Sequence, residues 1–364
     1  MIMMRVKNHI IALIVITSIA SCNTDKRYFN GDIVTQDLPT KMDTLYGEQI
    51  ELDGLFCGRI IAYDTLLIFK SPKYEDYAMY VFSTNSKIHI ASLAPIGDGP
   101  NECQSIDYNE QFIIENNEYK LFVILNSYNC RWLNVTASLK QGKTVLEPVL
   151  GCPPKLRNDY FFFSLYKNGS FLEQYATKRL NDDGTDYIPP GFKLRNLENE
   201  TAVKSIKPYK KKIINTYQSG VYLSDQFYFA YTSLKPDYSK LSMGMMYLPQ
   251  VNIIDLDTWK MTGYRLKMGI DFKMLTKDPA PLKYHYRDGS CDDSYIYLPY
   301  TGWKIADRSY IADTHELHVY NWEGAIVKRY FLDHPFFKMA IDPVKGKLYT
   351  LNNEEQLFCY CLDL

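Results

Sequence analysis

The string His315-Glu316-Leu317-His318 is the most metal-like feature of the chain. A zinc-protease pair needs two histidines at i and i+4 on one helical face. Here the spacing is i+3 and the surroundings read as a strand, where residues an odd number apart face opposite ways. One ion could not take both, so ordinary strand histidines are expected. Asn181-Asp182-Asp183-Gly184-Thr185-Asp186 has the oxygen density of a calcium loop. An EF-hand counted from Asn181 would put Phe192 where the bidentate Glu belongs, so a solvated turn is expected. Cys291-Asp292-Asp293-Ser294 is read in the same way, with its acids at the turn before a strand. Lys207, Lys210, Lys211 and Lys212 surround Pro208-Tyr209. They fit a solvated strand edge, with anionic lipid headgroups or an acidic ligand as the other use. No G-x-S-x-G string, P-loop or dinucleotide fingerprint occurs. The sequence therefore assigns no catalytic residue and no metal ligand.

Gly97-Asp98-Gly99-Pro100-Asn101-Glu102 has two uses. Structurally it is a tight loop, with glycines for unusual backbone angles and Pro100 for rigidity. Functionally it could bring Asp98, Asn101 and Glu102 to the mouth of a central channel. A third kind of chemistry sits at the N-terminus. Arg5 and Lys7 precede the apolar run Ile10–Ile16, which is short for a bilayer span, and then comes Ile19-Ala20-Ser21-Cys22. Small residues before a cysteine look like a bacterial lipobox, which makes residues 1–21 a signal peptide and Cys22 the lipid-attachment site. Acyl chains add about 0.8 kcal/mol per buried CH₂, enough for several chains to anchor stably. Asn23 after the cysteine resembles the pattern of lipoproteins sorted to the outer membrane. The mixed run Asn23-Thr24-Asp25-Lys26-Arg27 leaves periplasmic and surface facing open.

These residues need a scaffold, and the scaffold is what the chain repeats. A turn followed by a short apolar strand recurs as Asp64–Phe69, Tyr119–Ile124, Gly169–Leu172, Asp225–Phe229, Asp293–Tyr297 and Gly346–Tyr349. Polar hairpins follow, as at Ser83–Ser86, Asp255–Thr258 and Asn321–Gly324, where Asn, Asp and Gly supply the turn conformations. A period of about 50 residues built from hairpins predicts a β-propeller. Units cut at 57–96, 106–150, 158–208, 213–267 and 284–332 each hold four strands, with 269–283 as a long loop. The last unit has strands at 338–342, 347–351 and 357–361 and lacks a fourth. Residues 44–52 have no unit of their own, so they are expected to complete it and close a six-bladed ring. Two stacked β-sandwiches explain the strand count but not this complementarity of the two ends. Residues 22–42 are polar and aperiodic and read as a tether, leaving 43–364 as the propeller.

Composition agrees. Hydrophobic residues make up 46% and charged residues 23%, enough for a real core. The 31 tyrosines suit strands and polar binding surfaces. The formal charge of −1 falls to −3 without residues 1–21, so there is no basic field to attract nucleic acid. Besides Cys22 there are Cys57, Cys103, Cys130, Cys152, Cys291, Cys359 and Cys361, irregularly spaced and without a CxxC pair. Free strand-filling thiols are expected, and Cys359 and Cys361 share one strand face.

The Gly97–Glu102 loop is similar to the Gly-x-Gly-Pro-x-Glu loop of six-bladed propeller lipoproteins of Bacteroidetes, the TolB-like family. The closing stretch His318–Gly324, then Ala340-Ile341-Asp342, Lys347-Leu348-Tyr349 and Tyr360-Cys361-Leu362, resembles them too. Cys103 departs from the aromatic or small residue common there. The resemblance implies the fold and the envelope compartment and carries no agreed activity. The expectation is a non-catalytic, lipid-anchored module that binds a protein, peptide or glycan, needing no cofactor. One alternative is a calcium-dependent hydrolase or lactonase with carboxylates from separate blades in the channel. Another is a structural envelope scaffold. Specificity is expected in what does not repeat: 97–102, 181–191 and 269–283.

Overall fold

The recurring segments are unbroken apolar runs because both of their faces are covered. Leu67, Ile68 and Phe69 are buried in succession, as are Leu121, Phe122 and Val123. A half-solvated strand would alternate; a strand sandwiched between packed sheets does not. In the computed structural model the recurring segments, all but the one at Phe227–Phe229, fall on second strands of four-stranded blades. It describes residues 25–54, 58–70, 76–99, 101–126, 129–149, 160–167, 169–175, 178–179, 187–188, 190–196, 198–199, 201–211, 213, 215–217, 220–222, 227–276, 282–304 and 314–364. Cys22, Cys57, Cys152, Pro100, Lys212 and most of 181–191 lie outside the described residues.

Six antiparallel blades follow one another. Blade 1 is Arg59–Tyr63, Leu66–Lys70, Tyr77–Ser83 and His89–Pro95. Blade 2 is Ile106–Glu115, Glu118–Leu125, Asn129–Asn134 and Leu146–Pro148. Blade 3 is Tyr160–Tyr166, Ser170–Tyr175, Gly191–Asn196 and Ala202–Ile206. Blade 4 is Ala230–Leu234, Lys240–Met245, Gln250–Asp255 and Met261–Leu266. Blade 5 is Ser290–Cys291, Tyr295–Tyr300, Thr314–Asn321 and Ile326–Phe336. Blade 6 is Lys338–Asp342, Lys347–Leu351 and Leu357–Cys361. Its fourth strand is Glu48–Ile50, with Gln49 opposite Phe358 and Ile50 opposite Leu357. The ring closes through the N-terminal strand as expected.

Alternation within each strand sends successive side chains to opposite neighbours. Ile61 and Ile68 pack on Leu121 and Val123 of blade 2. Ile60, Leu67 and Phe69 pack the other way, on Ala340, Tyr349 and Leu351 of blade 6, with Ile50 among them. The remaining apolar clusters join blades 2 and 3, 3 and 4, 4 and 5, and 5 and 6. Each blade interface thus has its own core, and together they run around the ring.

Three local expectations need correction. Residues 25–36 are not a tether. Phe29 is buried between blades 3 and 4, and Asp25 is buried against Arg265. Asp32–Gln36 pairs in parallel with Met261–Leu266 as a fifth strand of blade 4. Asp43–Leu45 does the same on blade 5, beside Tyr330 to Leu332. An edge strand covered on one side only keeps polar residues, which is why composition alone suggested a tether. Second, Phe227 and Tyr228 are not in a strand: Phe227 is helical and Tyr228 a turn residue, both buried ahead of Ala230–Leu234. Third, Val135–Gln141 is a short helix, capped by the Asn134 side chain on Ala137 N and ended by Gly142 in the left-handed region.

Candidate functional site

Blades of one topology run their innermost strands in the same direction, so residues at the starts of those strands gather at one end of the channel. Arg59 and Lys338 are the first residues of the innermost strands of blades 1 and 6. Tyr231 is the second in blade 4, and Arg287 and Asp288 lie three and two residues before the strand of blade 5. Lys338 Nζ donates to Asp288 Oδ2 at 3.2 Å, and Arg59 Nε stands 3.9 Å from the same oxygen. The Lys338 ammonium also lies over the Phe337 ring, 5.4 Å from its centre.

The Tyr231 hydroxyl is pushed above its ordinary range chiefly by burial, with Asp288 adding, while Arg287 and Arg59 pull it back. It is therefore a neutral hydrogen-bond donor at pH 7. Phe229, 40% exposed, meets the Tyr231 ring edge-on at 5.1 Å. Lys338 and Arg59 thus face one carboxylate, and the Tyr231 phenol feels that carboxylate together with Arg59 and Arg287. Such an arrangement can hold an anionic group, and here Asp288 pairs with Lys338.

The Gly97–Glu102 loop lies between the outermost strand of blade 1 and the innermost strand of blade 2. Glu102 Oε2 accepts from Gly99 N at 2.9 Å, and a Cβ at Gly97 would overlap the Glu102 carboxylate. Asp98 Oδ1 accepts from Gln104 Nε2 at 2.7 Å. Both acids bond within their own loop, and Asn101 is exposed at its tip.

His315 and His318 face opposite ways, as strand spacing requires. His315 Nδ1 pairs with the Leu332 carbonyl at 2.8 Å, and its ring stacks on Phe331. His318 is buried between blades 4 and 5, with Nε2 2.7 Å from Glu316 Oε1 and Nδ1 3.3 Å from the Tyr286 hydroxyl. Burial lowers the His318 pKa against the pull of Glu316. Burial alone would raise the Glu316 carboxyl, but His318 and Arg329 outweigh it and hold it below the usual range. Asp292 builds a turn: Oδ1 accepts from Ser294 N and Tyr295 N, and Oδ2 accepts from the Tyr297 hydroxyl at 2.6 Å. Among the described residues, no group of three His, Cys, Asp or Glu side chains is placed to hold a metal ion.

The axial residues were missed in the sequence because each blade supplies one or two and no linear spacing links them. Their common signal is position: each lies within three residues of the start of an innermost strand.

No protein-family model matches the sequence, and no curated protein matches it. Solved structures do. The chain is similar to a structure described as an exported protein from Bacteroides fragilis NCTC 9343. That match has a TM-score of 0.50 at 10% identity, covering 90% of this chain and 98% of that one. A member of the DUF4221 family from Bacteroides vulgatus ATCC 8482 superposes with a TM-score of 0.50 at 12% identity, covering 89% and 97%. Regucalcin, a calcium-binding protein from Agrobacterium tumefaciens, gives 0.43 at 8% identity, covering 88% and 95%. At such identities the likeness speaks for the fold and not for the chemistry. No helix among the described residues is long and apolar enough to cross a membrane.

Proposed function

We propose that this chain is a lipid-anchored outer-membrane propeller that binds, without transforming, a ligand carrying a carboxylate or phosphate at the axial cluster. The observation that carries it is the convergence of Arg59, Arg287, Lys338 and Tyr231 around Asp288. A bound anion would replace Asp288 as the partner of Lys338 and Arg59, and the neutral Tyr231 phenol would supply a further donor. Phe229 gives an apolar wall beside these polar groups, the usual makeup of a ligand site.

The envelope placement is supported by the Ile19–Cys22 string, by the TolB-like closing motifs and by the exported Bacteroides neighbour. Thermal shifts with uronic-acid oligosaccharides, acidic peptides and inorganic phosphate, each against a neutral counterpart, test the site. Anionic compounds should raise the melting temperature, and Lys338→Glu should abolish the rise. Equal shifts from neutral compounds would overturn the reading. Cys22→Ser should move the protein from the membrane to the soluble fraction, and persistent membrane retention would overturn the anchor.

A further inference from the structure

We infer that the outer rim between blades 3 and 4 is a docking surface for anionic lipid. Two basic runs far apart in sequence are locked together there. Lys26 and Arg27 end the single 3-10 turn Asp25–Arg27 and are exposed. Lys207, Lys210 and Lys211 follow the outermost strand of blade 3 and are exposed as well. Backbone bonds run from Asn30 N to the Pro208 carbonyl at 2.9 Å and from Lys210 N to the Tyr28 carbonyl at 2.8 Å. Phe29 and Tyr209 form a β-bridge, both rings are buried, and their centres lie 6.1 Å apart. Lys210 Nζ donates to the Lys26 carbonyl at 2.8 Å.

The two joined segments present charge of one sign. The acid of the turn, Asp25, points inward to Arg265 and is buried. The next acid along the segment is Asp32, on the strand that leaves the rim along blade 4. Five cations thus sit on two joined segments, Asp25–Asn30 and Lys207–Lys211, whose one carboxylate, Asp25, is turned into the interior.

The position of this patch along the chain selects the partner. Asp25 is three residues from Cys22. Extended chain spans at most ~3.6 Å per residue, so an acyl group on Cys22 would hold the turn within about 10 Å of the bilayer surface. That distance is close to the Debye length of about 8 Å at physiological salt, within which basic side chains feel anionic headgroups. This step rests on the lipid-anchor reading. Because acyl chains already supply retention, the patch sets orientation: a rim held to the lipid leaves both ends of the channel, and the axial cluster, open.

The test uses the full chain carrying Cys22→Ser, so that acylation plays no part. Its partition is measured on phosphatidylglycerol-containing vesicles and on pure phosphatidylcholine vesicles, at low and at physiological salt. Binding should require the anionic lipid and weaken with salt. Lys207→Glu and Lys211→Glu should each reduce it by about fivefold or more, in line with one basic contact. Lys143→Glu, on blade 2, should leave it unchanged, and all variants should keep the parent melting temperature. Equal binding to both vesicle types, or no loss in the two rim variants, would overturn the docking surface. If the acylated parent is released from membranes, the anchor reading falls, whereas the vesicle result still decides the patch.

Discussion

The Asp25 carboxylate accepts a hydrogen bond from Arg265 Nη1 at 2.7 Å with both side chains buried. The same guanidinium donates through Nε to Gln250 Oε1 at 2.8 Å and lies 5.2 Å from the centre of the Phe272 ring. One arginine therefore joins the N-terminal segment, blade 4 and the connection to blade 5. From this pair the segment runs along the outer edges of blades 4 and 5 and then supplies the last strand of blade 6.

Removing one partner of a buried pair strands the other charge, at a cost of about 3–5 kcal/mol. Asp25→Ala is expected to lower stability by that order in urea unfolding. Asp25→Leu with Arg265→Met should lose less, because no buried charge is left unpaired and Arg265 Nη2 already lacks a hydrogen-bond partner among the described residues, so that the remaining cost is the donor lost by Gln250 Oε1. A double variant as unstable as the single one would show that the pair is needed for more than charge balance.

Ring closure can be separated from the rest of the strap. Ile50 is 6% exposed and packs with Leu67, Phe69, Leu351 and Leu357 across the junction of the last and first blades. Ile50→Ala should cost about 2–4 kcal/mol. Val34, on the strap over blade 4, is 48% exposed, and Val34→Ala should stay within about 0.5 kcal/mol. Similar losses at the two positions would mean that the closing strand is held no more firmly than the strap.

The fold was legible because doubly covered strands leave continuous apolar runs, and because a unit with three strands points to residues elsewhere that lack a unit. His315 and His318 were legible for a similar reason, since period two fixes which way each side chain points. The strap was not. Asp32–Gln36 fully buries no side chain, and Asp25 finds Arg265 across a separation that no local pattern encodes. Phe227 and Tyr228 looked like a strand because their aromatic content is high, yet a buried helix end and turn satisfy it equally well. The helix Val135–Gln141 carried its signals, Asn134 and Gly142, inside a stretch where the repeat suggested strand. The axial cluster was illegible since its members meet only after the ring closes.

His285 is buried, and neither ring nitrogen finds a hydrogen-bond partner among the described residues. Burial pushes its pKa down to about 3, with Lys283 and His318 adding to the shift. The unfolded chain titrates near 6.5, so from there down to about 3 the unfolded state binds a proton that the native state refuses. Stability should fall with acid across that window, by about 1.4 kcal/mol per pH unit from this residue, and the residue should contribute no slope above it. His318 shifts in the same direction and adds to the loss. His285→Phe should flatten the dependence between pH 6 and pH 4. It should also hold or raise stability at pH 7, since two unsatisfied nitrogens disappear. Urea midpoints across that range check it, and an unchanged slope would place the acid sensitivity elsewhere.

The axial cluster makes a prediction of opposite signs. If an anionic ligand competes with Asp288 for Lys338 and Arg59, then Asp288 opposes binding and Lys338 favours it. Asp288→Ala removes the competitor and should tighten an anionic ligand, whereas Lys338→Ala should weaken it. The pair is partly exposed, so its strength is of the order of 1 kcal/mol and each change should be about fivefold. Calorimetric titration of both variants with the same anionic compound decides the matter. Weakening in both would mean that Asp288 itself contacts the ligand, so that the site takes a group bearing donors as well as an anion. No change in either would remove the cluster from the binding site altogether.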